Sequence, residues 1–287
     1  MKKTKKIIAL IFAFALCITA TFGATVAYLT DTDDDTNVFT VGNVEIEQYE
    51  KDRNGNEVSF DESAGTKLYP IVNDAKDANG YHTGNNYVDK IVTVKNTGTE
   101  DAYIRTYIAI PAALDDGPTT FDASKNILLW NGASASYEFG VANWGGTIKN
   151  DWYWTGDFAE GNDWPGVWDG YVTTIDNVPY NVYVATHKSI IEPDAITAPS
   201  LFGVYLDKGV DYDHENEWYT INGEKINYDL SGAVNILVIS EAVQAQGFED
   251  SNENGSPADD ALNEAFGKVG TYCPFGGTDY KHFKDCN

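Results

Sequence analysis

Along the chain, apolar residues come in short runs broken by Gly, Asn and Asp. That spacing predicts strands joined by turns, because alternate side chains of a strand share a face. Val38–Ile46 (VFTVGNVEI) alternates after Gly42, with Val44 and Ile46 on one face and Glu45 and Glu47 on the other. Val88–Val94 and Ala102–Ile110 follow, the second reading AYIRTYIAI, rich in the β-branched and aromatic residues that strands favour. Between them Asn96-Thr97-Gly98 supplies turn residues, which predicts a hairpin with Gly98 at positive φ. Pro111 ends the second strand. Ile127–Trp130, Tyr137–Val141, Tyr171–Ile175, Tyr180–Thr186, Leu201–Leu206, Trp218–Ile221 and Ala233–Ile239 are further strand candidates. Such short strands between turn residues predict an all-β fold, an antiparallel β-sandwich with long loops. Helix signal is confined to Glu241–Gln246 and Asp259–Phe266, the second opening on Asp259-Asp260 as a cap.

Three stretches read as loops. Lys51–Glu62 holds an Asn-Gly turn among charges, and Phe248–Asp260 is acidic and polar. Residues 141–170 carry five of the seven tryptophans: Trp144, Trp152, Trp154, Trp164 and Trp168. No repeat of fixed period appears, which argues against a solenoid.

The N-terminus changes the picture from fold to destination. Lys2, Lys3, Lys5 and Lys6 precede the uninterrupted apolar run Ile7–Ile18, and Thr25-Val26-Ala27 presents small residues to a peptidase. Residues 1–27 therefore read as a secretory signal peptide cut between Ala27 and Tyr28. The competing reading is an uncleaved anchor, since Ile7–Val26 is 20 residues without a charge. The formal net charge of -25 argues against nucleic-acid binding, which needs a basic surface. After cleavage Cys273 and Cys286 remain, and in an oxidising compartment they are a possible disulfide; the alternative is two separate thiols.

Catalytic chemistry finds little support. His214-Glu215 has Trp218 where a zinc protease needs its second histidine, and His82, His187 and His282 are scattered. No G-x-S-x-G and no Gly-rich phosphate loop occurs, so no catalytic residue, metal ligand or cofactor is assigned. Asp250, Asn252, Asn254 and Gly255 begin a calcium-loop pattern, but its twelfth position is Ala261 where a bidentate Glu belongs. Asp31, Asp33, Asp34 and Asp35 form a second oxygen cluster; the plain reading of both is a solvated acidic loop. The Trp-rich loop, with Asp151, Asp157, Asp163 and Asp169, fits either stacking on sugar rings or a satellite core that pins the loop.

Ala27-Tyr28-Leu29-Thr30-Asp31 followed by Thr36-Asn37-Val38-Phe39-Thr40-Val41-Gly42 resembles the start of proteins exported through a SipW-type signal peptidase, the TasA/camelysin family of extracellular matrix proteins. Val94-Lys95-Asn96-Thr97-Gly98 with Ala102-Tyr103-Ile104-Arg105 is similar to that family's V-K-N-T-G … A-Y-V-R hairpin. Tyr180–Leu206 with Ala242–Phe248 is similar, more loosely, to the late strands and closing helix of clostridial-type members. The resemblance implies a jelly-roll-like β-sandwich, secreted to the cell surface or matrix and polymerised into biofilm fibres. Camelysin-type members are also described as metallopeptidases, an activity for which this chain lacks a zinc-protease motif. The expected organisation is a signal peptide (1–27), a TasA-like sandwich (28–247) and an acidic C-terminal extension (248–287). The expected function is a non-catalytic fibre subunit that assembles by N-terminal strand exchange. An exported module binding cell-wall or matrix polysaccharide through the Trp-rich loop is the alternative, and a camelysin-like peptidase the third.

Overall fold

The computed structural model describes residues 43–58, 68–71, 86–115, 127–130, 152–153, 170–230, 234–248 and 257–282. Their strands are β1 (Ile46–Lys51), β2 (Val88–Asn96), β3 (Ala102–Pro111), β4 (Leu128–Trp130), β5 (Trp152–Tyr153), β6 (Gly170–Ile175), β7 (Val178–His187), β8 (Leu201–Leu206), β9 (Val210–Asp213), β10 (Trp218–Ile221), β11 (Glu224–Lys225), β12 (Leu237–Gln244) and β13 (Thr278–His282). One α-helix, α1 (Pro257–Phe266), and a single 3-10 turn at Ala112–Leu114 accompany them.

The strands pair antiparallel in three sheets. The first has the order β1-β2-β8-β4, and the second β12-β3-β7-β6-β13, with β5 also on β7. A small sheet, β11-β10-β9, lies apart from both ladders. Ile46, Val92, Val94, Leu201, Val204 and Leu206 of the first sheet meet Ile104, Ile108, Ile110, Ala185 and Ala242 of the second in one buried cluster. This is the all-β sandwich that the alternating pattern predicts, its core formed by the inner faces of two sheets. Val210, Ile221 and Ile226 join the same cluster, so the small sheet closes one part of the core.

Turn chemistry matches the connections. Asp176 and Asn177 both hold positive φ between β6 and β7, as do Asn222 and Gly223 between β10 and β11, the geometry of two-residue hairpins. In the Lys51–Glu62 loop, Asp52 Oδ1 accepts from the amides of Asn54 (2.8 Å) and Asn56 (2.9 Å), with Gly55 at φ 84°.

Several expectations need correction. Val38–Ile46 was read as one strand; regular pairing starts at Ile46 and runs on to Lys51, while 38–42 lie outside the described residues. Glu241–Gln246 was expected to be helical, yet Glu241–Gln244 belong to β12, where Glu241 pairs with Arg105 and Gln244 with Ala102. A ladder along a whole buried strand outweighs the weak propensity of six residues, too few to hold a helix alone. The strand expected at Ala233–Ile239 accordingly begins later, at Leu237.

The Asn96-Thr97-Gly98 turn is not a hairpin. β2 belongs to the first sheet and β3 to the second, so residues 97–101 carry the chain across the sandwich. Nor does Gly98 hold positive φ. It is required for a different reason: a Cβ there would lie 2.3 Å from the carbonyl oxygen of Asn43 and 2.7 Å from the amide of Glu45. The amides of Thr97 and Gly98 donate to the Glu45 oxygen at 2.8 and 3.0 Å, so two backbones meet where no side chain fits. Asn96, fully buried, holds the corner by donating to the oxygens of Glu100 (2.8 Å) and Ile191 (2.9 Å) and accepting from the Gly98 amide.

The boundary drawn at residue 248 is not a structural one. Every residue of β3 is buried, so the second sheet is covered on both faces. Its outer face, with Tyr107, Ala109, Tyr171, Val182 and Val184, packs against Val269, Tyr272, Cys273 and Phe275. Beside them, Ala258, Ala261 and Leu262 of α1 pack on Tyr103 and Ala245. β13 adds to the edge of the same sheet. Residues 257–282 of the acidic extension thus form a third layer.

Candidate functional site

β1 is the outermost strand of the four-stranded sheet, and its lead-in is fixed at Asn43–Glu45 by the Gly98 contact. Along its length it pairs residue for residue with β2, Ile46 with Asn96 through to Lys51 with Ile91. On its other side the turn at Asp52–Asn56 folds Glu57 back onto Lys51, and the Val58 amide donates to the Glu50 oxygen at 3.0 Å. Among the described residues no strand pairs with the Ile46–Tyr49 part of that side. Gln48 ties this edge to the opposite sheet, donating to the Val238 oxygen (3.2 Å) and accepting from Ser240 Oγ (2.8 Å). Ser240 in turn meets Thr106 Oγ1 at 2.9 Å. A chain of hydrogen bonds therefore crosses the seam between the two sheets on this side.

At the far end of β1, Lys90 and Glu50 form an ion pair directed between the sheets. Burial lowers the Lys90 ammonium pKa, opposed by the adjacent Glu50 carboxylate. Such a charge is inward-facing on a strand near the sheet edge, a placement that discourages unregulated edge pairing.

Among the described residues the largest fully buried polar side chain is Arg105, the last residue of the Ala102-Tyr103-Ile104-Arg105 motif. It is fully enclosed, and its partner Glu241 side chain is 2% exposed, with Nη2 donating to Glu241 Oε2 at 3.2 Å. The remaining partners come from the third layer. Arg105 Nη1 donates to Asn263 Oδ1 (3.0 Å), and Nη2 reaches Tyr272 Oη (3.0 Å) and the Gly267 oxygen (3.4 Å). Tyr272 Oη donates to Glu241 at 2.6 and 2.5 Å and meets Tyr107 Oη at 2.5 Å. The guanidinium lies 5.4 Å from the Tyr107 ring centre, and its Nε has no hydrogen-bond partner. Burial pushes the Glu241 carboxyl above its usual range, against the opposing pull of Arg105 and of hydrogen bonds from Tyr272. Arg105 stays charged. A signal for this pair was legible: one Arg in AYIRTYIAI and one Glu in LVISEAVQ are the lone charges of two otherwise uncharged strands. What pairs with what depended on strand register.

The residues singled out from sequence are not brought together. Ala27, Tyr28, Asp31, Asp33, Asp34 and Asp35 lie outside the described residues, as do His82, Asp250, Asn252, Asn254, Gly255 and Cys286. Ala261, at the twelfth position of the calcium pattern, is buried in α1. Cys273 is half-buried on the outer face of the second sheet. His187 is buried with Nδ1 2.8 Å from the Ser189 oxygen, and His214 stacks edge-on against Tyr212. Among the described residues no three His, Cys, Asp or Glu side chains are grouped to hold a metal ion, and no helix is long and apolar enough to cross a membrane. Of residues 141–170, only Trp152-Tyr153 and Gly170 are described; the first two, as β5, pair with His187 and Thr186 at the end of β7.

No family model, curated protein or solved structure matches the chain.

Proposed function

We propose that the mature chain is an exported, non-catalytic structural subunit that self-associates into extracellular matrix fibres by donating its N-terminal strand. The observation that carries this reading is the position of β1: an edge strand, entered from the N-terminus, whose outer side from Ile46 to Tyr49 has no strand partner among the described residues. Residues 28–42, freed by cleavage after Ala27, run directly into that edge. An extended segment from a neighbour adds backbone hydrogen bonds to such an edge and places alternate side chains on it. The Lys–Thr-rich signal segment keeps the precursor's N-terminus engaged at the membrane, so processing by a SipW-type peptidase acts as the trigger. Electron microscopy of the mature chain, with and without Tyr28–Thr40, tests this. Rods from the intact chain and monomers from the shortened one are expected. Monomers from both, at high concentration and at low pH where the acidic repulsion is relieved, overturn strand donation.

A further inference from the structure

The outer face of the second sheet differs from a core in how its cover is attached. Residues 257–282 are the last described segment and pack on that face through α1 and the 267–277 turns, with β13 on the edge of the same sheet. Their pairing to the sheet is irregular: β13 meets β6 at Thr278, Lys281 and His282 with a register shift between, and Asp279 holds positive φ. The attachment combines apolar packing, through Ala258, Ala261, Leu262, Val269 and Phe275, with polar contacts. Besides the Arg105 contacts, Thr186 Oγ1 donates to Asp259 Oδ1 (2.6 Å) and Thr173 Oγ1 to the Thr278 oxygen (2.7 Å).

That chemistry sets the balance between covered and uncovered states. Arg105 and Glu241 both belong to the sheet, on β3 and β12, and stay paired whether or not the cover is present. Covering them removes two charges from water and leaves Arg105 Nε without a partner, and desolvating a buried pair commonly cancels its attraction. Uncovering returns water to the pair but exposes Tyr107, Ala109, Val182 and Val184. The desolvation of the two charges thus offsets part of the apolar gain, and a segment whose balance is reduced in this way opens before the rest of the fold.

We infer that residues 257–282 form an exchangeable cap, which leaves the sheet as one unit and can be replaced by the same segment of a second copy of this chain. The occupant follows from the face itself: it already fits this segment, and a second copy's Asn263, Gly267 and Tyr272 would meet Arg105 and Glu241 with identical geometry. The tether allows it. Ala245 and Phe248 are packed against the body, so eight residues, 249–256, separate it from α1, and that length of chain reaches up to about 29 Å when extended. This association deepens the fibre reading with a second contact between copies, yet its test does not need fibres.

A protease site placed within residues 249–256 of the full mature chain allows the cap to be cut from its tether without removing it. Nicked protein in natural isotopes is mixed with nicked protein labelled with nitrogen-15, and intact complexes are weighed by native mass spectrometry. Mixed species, a labelled cap on an unlabelled body, are expected within hours. Tyr272→Phe, which removes the hydroxyl shared by Arg105, Glu241 and Tyr107, should speed mixing about tenfold. Arg105→Met with Glu241→Leu, which removes the buried charges together, should slow it. Complexes that stay intact but never mix overturn the proposal, as does loss of the whole fold on nicking. Should fibres fail to form while caps exchange, strand donation falls and the exchangeable cap stands.

Discussion

The second sheet is packed on both faces, and the two packings are made differently. Inward, Ile104, Ile108 and Ile110 of β3 meet Ile46, Val92 and Leu201 with side chains that are all fully buried. Outward, the same strand presents Tyr103, Arg105, Tyr107 and Ala109 to a cover held by apolar packing, by hydrogen bonds of Asn263, Gly267 and Tyr272 to Arg105, and by a threonine–aspartate bond. One strand thus alternates between an apolar interface that specifies the sandwich and a mixed one whose polar groups specify where its C-terminal segment sits. Apolar contacts accept many partners of suitable size, whereas a buried guanidinium accepts only a layer that supplies oxygens at fixed positions.

Breaking the outer interface at its charge should have the largest effect. Arg105→Met alone leaves Glu241 buried without its cation, which should cost about 3–5 kcal/mol; denaturant titration would read it, with protection from hydrogen exchange lost first in 257–282. Adding Glu241→Leu should recover most of that loss, and failure to recover it would mean that Arg105 acts through packing rather than charge. On the inner face, Ile108→Ala should cost about 2–5 kcal/mol, and here protection should fall in β2, β3 and β7 together. A loss confined to the cap would contradict the division between faces.

Gly98→Ala probes the corner that joins the two sheets. Its Cβ would strike the backbone at Asn43 and Glu45, and a cost of about 1–3 kcal/mol is expected from overpacking. If the variant is as stable as the parent, the lead-in to β1 does not rest on this corner.

The smallest effect is pH-dependent. The folded Glu241 carboxyl is raised mainly by burial, so it binds its proton more tightly in the capped state than in the open one. Its contribution to capping is therefore fully present below the ordinary Glu range and declines as pH rises through the raised folded value. Tyr107 and Tyr272 are displaced upward by burial and do not titrate in that window, and Arg105 stays charged. Exchange rates of cap amides, corrected for intrinsic pH dependence and compared with Glu241→Gln, should show an opening that grows with pH only when Glu241 is present.

Local pattern alone determined the strands at Val88–Val94, Ala102–Ile110 and Leu201–Leu206 and the helix at Asp259–Phe266, all of which lie within β2, β3, β8 and α1, and hence an all-β sandwich. Those features depend on side-chain alternation and turn residues, which act over a few positions. Tertiary structure decided the rest. A six-residue segment with helical leanings became the end of β12 because β3 offered a full ladder. Gly98 proved necessary because another backbone crosses it, a contact more than fifty residues away in sequence. Residues 257–282 became a third layer because Arg105, isolated in an apolar strand, faces outward beside Glu241 and requires oxygens there. Register and long-range approach place such groups together, and neither is written in the order of neighbouring residues.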